Sequence, residues 1–390
     1  MMFSNGMGGP DGKKILPVEK KNKFYVLIFI LIRIRNATIL ELFCSLLGNL
    51  FSFVGKSTRD RNNMIADEKL AGLIVFPIAL IGVFANWTVA LLIRRLPSLK
   101  NSFGRLTASQ SIGDAIHSTV FAFLFSPMCF FGIDFMKEYS SVIGHILLIA
   151  YDISTYSHLC ISLNRFCSIV APIQYDTIFR YFPLSFLFDN TIFSMSNTKK
   201  LIMFSWACAV LPSFYLYIYH DCKFYYIDDF WVFTFSTTPV CGTIVWYADF
   251  LKYNSIVLSI VIIDIITVSK VRSFKAHLSS TSSQSHAKKR SAEMNFLKQA
   301  CLQAFVFVCE LITYFLITPR VDGSERWLRF FLSTVAWVCV HMLDGIITLS
   351  FNKEFTQTIF RGIKIKDLSG YSTRHPHTEN TSNAGSKTKH

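Results

Sequence analysis

Apolar residues along this chain run in long unbroken blocks, and short tracts of Lys, Arg, Asp and Glu separate one block from the next. A helix rises about 1.5 Å per residue and the hydrocarbon core of a bilayer is about 30 Å thick, so roughly 20 apolar residues span it. Seven windows of that length occur, near 70–93, 104–131, 139–169, 200–219, 252–271, 298–318 and 329–351. The pattern predicts an all-α membrane protein, a seven-transmembrane helix bundle occupying residues 69–355. Residues 1–68 form an N-terminal extension. Residues 356–390, rich in Ser, Thr, Lys and His, are expected to be a disordered cytoplasmic tail.

The charged tracts set the expected orientation. Arg94, Arg95, Lys100 and Arg105 follow the first window, Arg180, Lys199 and Lys200 the third, and Lys270, Arg272, Lys275, Lys288, Lys289 and Arg290 the fifth. The alternate loops carry acid instead: Asp134, Glu138, Asp221, Asp228, Asp229, Asp322 and Glu325. Cytoplasmic loops collect Lys and Arg, which puts the N-terminus outside and the basic tail in the cytoplasm.

Two stretches do not fit seven spans. Residues 24–55 are apolar but broken by Arg33, Arg35 and Glu41. They read as a signal-like segment, an eighth span or a non-native upstream extension, and the last is favoured because Met64 starts a run leading straight into the first window. The aromatic insert RYFPLSFLFDN (180–190) lies between the near-repeats DTIFR and NTIFS. Removing residues 180–193 restores a continuous loop, so a retained intron or gene-model error is expected in both places. A full-length transcript matching every codon would refute this.

Composition narrows the class further. With 52% hydrophobic and only 16% charged residues, the chain lacks the polar surface of a soluble domain of this size. The net charge of +14 sits in inter-span tracts and the tail, so it marks membrane topology and no nucleic-acid partner. The ten cysteines fall mostly inside apolar windows, with neither a CxxC pair nor metal-ligand spacing; no metal and no cofactor are expected. No Ser/His pair in adjacent spans and no paired Asp motif argue for an enzyme. A multispanning transporter, the main rival, would show internal repeats and broken helices, and neither is found. The misfit stretches keep a non-functional receptor-like pseudogene product as a second rival.

The third window ends on SLNRFCSIVAPIQYDTIF, where Asn164, Arg165 and Phe166 stand at the edge of the membrane. A snorkelling Arg at a helix end is the ordinary reading. Inside the windows, polar groups are costly and therefore mark candidate sites. Asn86, Asp114 and Asp344 fall at or below mid-depth and could meet, as a helix-packing hydrogen-bond cluster or, less favoured, an ion site.

YDISTYSHLCISLNRFCSIVAPIQYDTIF, GVFANWTVALLIRRLPSLKNSFGRLTASQSIGDAIHS and HMLDGIITLSFNKEF together strongly resemble the nematode chemoreceptors called serpentine receptor class X. These lie within the rhodopsin-like G-protein-coupled receptor superfamily, and the resemblance covers about Lys69 to Phe355. It implies a multi-pass plasma-membrane receptor of sensory-neuron cilia that binds a small environmental molecule and activates a heterotrimeric G protein. Asn164-Arg165-Phe166 resembles the superfamily's Asp/Glu-Arg-Tyr motif, whose Arg contacts the G protein. An Asn cannot form the same salt bridge, so any restraint on Arg165 must be weaker or come from elsewhere. Asn86, Asp114 and Asp344 resemble the superfamily's conserved intramembrane polar positions, although Gly345 stands where Pro is usual. The resemblance implies a ligand pocket opening outward between the third, sixth and seventh helices. Tyr151, Asp152 and Thr155 lie about mid-depth on the third, with Asp152, Thr155 and Tyr156 on one face by i, i+3, i+4 spacing, and Glu310 and Trp337 are at comparable depth on theirs, which makes Tyr151, Asp152, Thr155, Glu310 and Trp337 the candidates. Ser140 replaces the usual cysteine of the third helix. Cys222 and Cys241 are left in the aromatic loop before the fifth window, as a loop-internal disulfide or two free thiols.

Overall fold

In the computed structural model each apolar window is a helix, as it must be where hydrocarbon offers backbone amides and carbonyls no partner outside the segment. The structure describes residues 61–169, 195–277, 284–352, 354–355 and 357–358. The apolar stretch 24–55, the insert 180–193 and the tail beyond 358 lie outside them. Seven helices are long and apolar enough to cross a membrane: α1 Asp67–Arg95, α2 Ser102–Phe131, α3 Ser140–Ser168, α4 Asn197–Tyr219, α5 Pro239–Val271, α6 Asn295–Arg320 and α7 Arg326–Phe351. The chain is a multi-pass membrane protein.

Burial orders these helices around the bundle. In α7, 83% of the apolar window is buried, against 22% in α4 and in α5. Thus α7 is enclosed by its neighbours, while α4 and α5 turn Met203, Phe204, Leu211, Leu258 and Ile265 outward toward lipid. Close approach demands glycine where α1 meets α7. A Cβ on Gly345 would come within 2.6 Å of Asn86 Oδ1, so these two helices pack backbone to side chain without a spacer.

Two features depart from the expected layout. The fifth helix begins at Pro239, not near 252: Pro sits in its first turn, and the Thr238 hydroxyl accepts from the Cys241 amide at 3.2 Å to cap it. Thirteen residues assigned to a loop by hydropathy are therefore helical. The bundle also carries strand structure, a hairpin of β1 Phe224–Ile227 and β2 Val232–Phe235 between α4 and α5. Phe224 pairs with Phe235 and Ile227 with Val232 in antiparallel register. Phe224 and Tyr226 face inward and Tyr225 and Ile227 less so, the period-two alternation of a half-buried strand.

Three contacts hold the hairpin over one end of the bundle. A disulfide joins Cys222 to Cys241, tying the chain before β1 to the first turn of α5. A Cβ at Gly144 would clash with the Phe224 carbonyl oxygen, so α3 accepts the strand only because that side chain is absent. Lys137, from the segment between α2 and α3, bridges Glu68 of α1 at 2.6 Å and Asp228 of the hairpin turn at 2.7 Å. Burial by itself would lower the Lys137 ammonium, but the two carboxylates hold it above the ordinary lysine range.

Candidate functional site

A narrow pocket lies beneath the hairpin, walled by α3, α5, α6 and α7 and partly open to the outside. Phe224, Phe233 and Phe235 of the two strands roof it, and Trp337 lies on its wall from α7. Four of the helices around it, α5, α6, α7 and neighbouring α2, widen here into π-helical turns: Trp246–Leu251, Ile312–Ile317, Phe331–Val335 and Phe121–Phe125. The turns in α5, α6 and α7 themselves carry Asp249, Tyr314, Phe315, Ser333 and Thr334, all of which line the cavity.

Tyr151, Glu310 and Trp337 of the expected pocket residues do line this space. Tyr151 donates to Glu310 Oε2 at 2.9 Å, and its ring stands edge-on to Tyr253 with centroids 4.6 Å apart. Asp152 and Thr155 do not. Asp152 turns to α5 and takes both hydrogen bonds of the Lys252 ammonium, at 2.7 and 3.0 Å. The Thr155 hydroxyl donates back to the Tyr151 carbonyl at 2.9 Å and lies in a separate narrow gap with His158 and Phe307. Both share one face of α3 by spacing, and that face looks toward α5 and away from the cavity.

Asp249, Tyr253, Tyr314 and the hairpin aromatics escaped the sequence reading. Asp249 carried a signal, since it is an acid within the apolar run PVCGTIVWYADFL, but that run was assigned to a loop.

Below the cavity a polar network threads the bundle. His341 Nδ1 lies 2.7 Å from Asp114 Oδ1, and the same oxygen accepts from Ser154 at 2.6 Å. Asn86 donates to the His341 carbonyl at 2.7 Å. One step along, Asp344 Oδ2 accepts from Gln110 at 3.0 Å and lies 3.1 Å from His158 Nε2. Gln303 of α6 reaches the Asp344 carbonyl at 3.3 Å and Thr348 at 3.2 Å. These bonds form two groups, one holding Asn86 and Asp114 with Ser154 and His341, the other holding Asp344 with Gln110, His158, Gln303 and Thr348, and the linking side chains are ones that the sequence reading passed over. Their common signal was polarity inside an apolar window. The His117 ring lies against that of His341, centroids 3.7 Å apart and planes tilted by 40°, and neither of its nitrogens has a hydrogen-bond partner among the described residues.

Arg165 closes the series at the opposite end of α3, 14 residues beyond Tyr151 and so about 21 Å along the axis. It does not snorkel. It is only 5% exposed, and none of its three guanidinium nitrogens has a hydrogen-bond partner among the described residues. The Phe103 ring lies 4.9 Å from the guanidinium carbon. Asp264 of α5 is the carboxylate whose charge reaches it, and the Ser162 hydroxyl, one turn back on α3, holds Asp264 Oδ1 at 2.8 Å. Asn164 is buried beside it and Phe166 is half-buried.

Squid rhodopsin has the same fold: its crystal structure matches with a TM-score of 0.57 at 16% identity, covering 80% of this chain and 93% of that one. Serpentine receptor class X 45 of Caenorhabditis elegans is 33% identical over 313 residues, 75% of this chain and 81% of the relative. Serpentine receptor class X-43 of the same organism is 26% identical over 305 residues, 77% of this chain and 89% of the relative. Residues 76–352 match the model of the serpentine type 7TM GPCR chemoreceptor Srx, and the chain belongs to that family.

Proposed function

We propose that this protein is a chemosensory receptor of the plasma membrane of sensory-neuron cilia, which binds a small environmental molecule beneath the hairpin and activates a heterotrimeric G protein at the Arg165 end. The hairpin end faces outside and the Arg165 end faces the cytoplasm, following the Lys and Arg bias of the loops. The observation that carries the reading is Arg165 itself. A guanidinium buried to 5% exposure without a hydrogen-bonded partner among the described residues is an expensive arrangement. Its retention makes sense if a partner entering between α3, α5 and α6 supplies the missing acceptors.

The intervening network gives the two ends a physical connection. Glu310, Gln303 and Gln299 lie on one helix, α6. Glu310 meets Tyr151 at the cavity, and Gln303 and Gln299 bond to α7 below it. An occupant that shifts α6 at Glu310 must break or remake those bonds, the kind of two-arrangement element that coupling requires. Asp264 takes the restraining role that Asn164 cannot perform, by placing a negative charge near Arg165 from α5.

The experiment is guanine-nucleotide exchange on purified G protein, driven by membranes carrying the receptor and an odorant panel. Arg165→Ala is expected to reach the cell surface at normal levels and to lose odorant-driven exchange. Normal exchange from that variant would refute the assignment.

A further inference from the structure

The acidic and basic side chains that line the cavity are all carboxyls. Asp249 and Glu310 line it, and no Lys, Arg or His does. Asp249 is 5% exposed and makes neither a hydrogen bond nor an ion pair among the described residues, so its carboxylate is aimed into the cavity without a partner. Glu310 is 6% exposed and has a partner at one oxygen only, the Tyr151 hydroxyl.

Lys252 is the cation whose charge reaches Asp249, and it is already engaged. Both of its short contacts go to Asp152, its ammonium lies 4.1 Å from the centre of the Tyr253 ring, and it forms no part of the cavity wall.

We infer that the occupant of this cavity is a small organic cation, an amine carried on an apolar or aromatic body, anchored by Asp249 and Glu310. The inference depends on the cavity being the ligand site of the proposed receptor. Two carboxyl groups withdrawn from water, of which only Glu310 holds a hydroxyl, are poorly compensated, and a protonated amine restores that compensation through charge-assisted hydrogen bonds. A neutral alcohol of the same shape leaves the charge unbalanced, and an acid adds a third negative group to the two present. The aromatic rings of Tyr314 and Trp337 on the wall add cation–π attraction and bury the organic body.

The test measures binding to full-length receptor in lipid nanodiscs for matched trios: 2-phenylethylamine, 2-phenylethanol and phenylacetate, and tryptamine, tryptophol and indole-3-acetate. Each amine is expected to bind about tenfold or more tighter than its alcohol and its acid, the increment of one charged hydrogen bond. Asp249→Asn and Glu310→Gln, which keep the side-chain shape, are each expected to weaken amine binding by about ten- to a hundredfold. An alcohol or acid that binds as well as its amine, amine binding indifferent to both substitutions, or no amine binding at millimolar concentration would overturn the inference. The wild-type comparison stands even if a variant fails to fold. G-protein nucleotide exchange on the same nanodiscs separates the two levels. Exchange driven by a neutral odorant in the absence of amine binding overturns the ligand class and leaves the receptor reading intact; amine binding without exchange supports the class and counts against coupling.

Discussion

The contact between His341 and Asp114 gives a prediction whose size follows from burial. The two side chains are 0% and 1% exposed, and Nδ1 lies 2.7 Å from Oδ1. His341→Ala removes that partner and leaves the carboxylate with only the Ser154 hydroxyl. Stripping one member from a fully buried pair costs about 3–5 kcal/mol, because the remaining charge cannot reach water. Asp114→Asn acts differently. The amide keeps the shape and carries no charge: with its oxygen in the Oδ1 position it still accepts from Ser154 and from His341, and only the NH2, in the buried unpartnered Oδ2 position, is left without a partner, at a cost of about 1–3 kcal/mol. The double variant removes the stranded charge as well as its partner. It should therefore melt above His341→Ala alone, with a coupling of about 2 kcal/mol or more. Thermal unfolding can be followed in detergent with a thiol-reactive fluorophore, since Cys129, Cys167 and Cys339 are buried free thiols that unfolding exposes. At about 2–4 °C per kcal/mol, His341→Ala is expected to lower the midpoint by on the order of 10 °C. A His341→Ala midpoint equal to wild type, or a double variant whose loss equals the sum of the singles, would show that the contact does not carry the energy assigned to it.

Three further perturbations test other parts of the structure. Asp264→Asn removes the charge that reaches Arg165 from α5 and is expected to raise odorant-independent nucleotide exchange severalfold; unchanged basal exchange would remove Asp264 from the resting-state restraint. Gly345→Ala puts a Cβ 2.6 Å from Asn86 Oδ1 and 2.8 Å from the Ala85 Cβ, and overpacking of that kind costs about 1–3 kcal/mol. A thermal midpoint unaffected by it would mean that α1 and α7 are not in contact there. Cys222→Ser opens a loop closed across 19 residues, a loss of about 3 kcal/mol from chain entropy. Reductant should accordingly lower the wild-type midpoint and leave the variant unmoved, and equal sensitivity of both would argue against the bond.

Depth in the membrane was legible from the chain alone, because a fixed rise per residue turns sequence distance into height. That arithmetic located seven spans, put Tyr151, Glu310 and Trp337 at one level, and put Asn86, Asp114 and Asp344 at another. Hydropathy misplaced the start of α5, where Asp249, Trp246 and Tyr247 dilute the apolar signal, and the hairpin was too short to announce itself in four-residue strands.

Azimuth was the missing quantity. A helix turns about 100° per residue, and which side of it faces a neighbour depends on how seven cylinders pack and where a π-helical turn resets the phase. Asp152 and Thr155 have the right height and the wrong direction for the cavity, whereas Asp249 has the right direction because a widened turn in α5 supplies it. Sequence alone determined the spans, the family and the level of each buried polar residue, since hydrocarbon thickness and helical rise fix them without reference to neighbours. Only the tertiary structure decided which polar residues meet. The pairing of Asp152 with Lys252, of Asp114 with His341 and of Asp264 with Ser162 beside Arg165 joins helices whose mutual rotation no local pattern encodes.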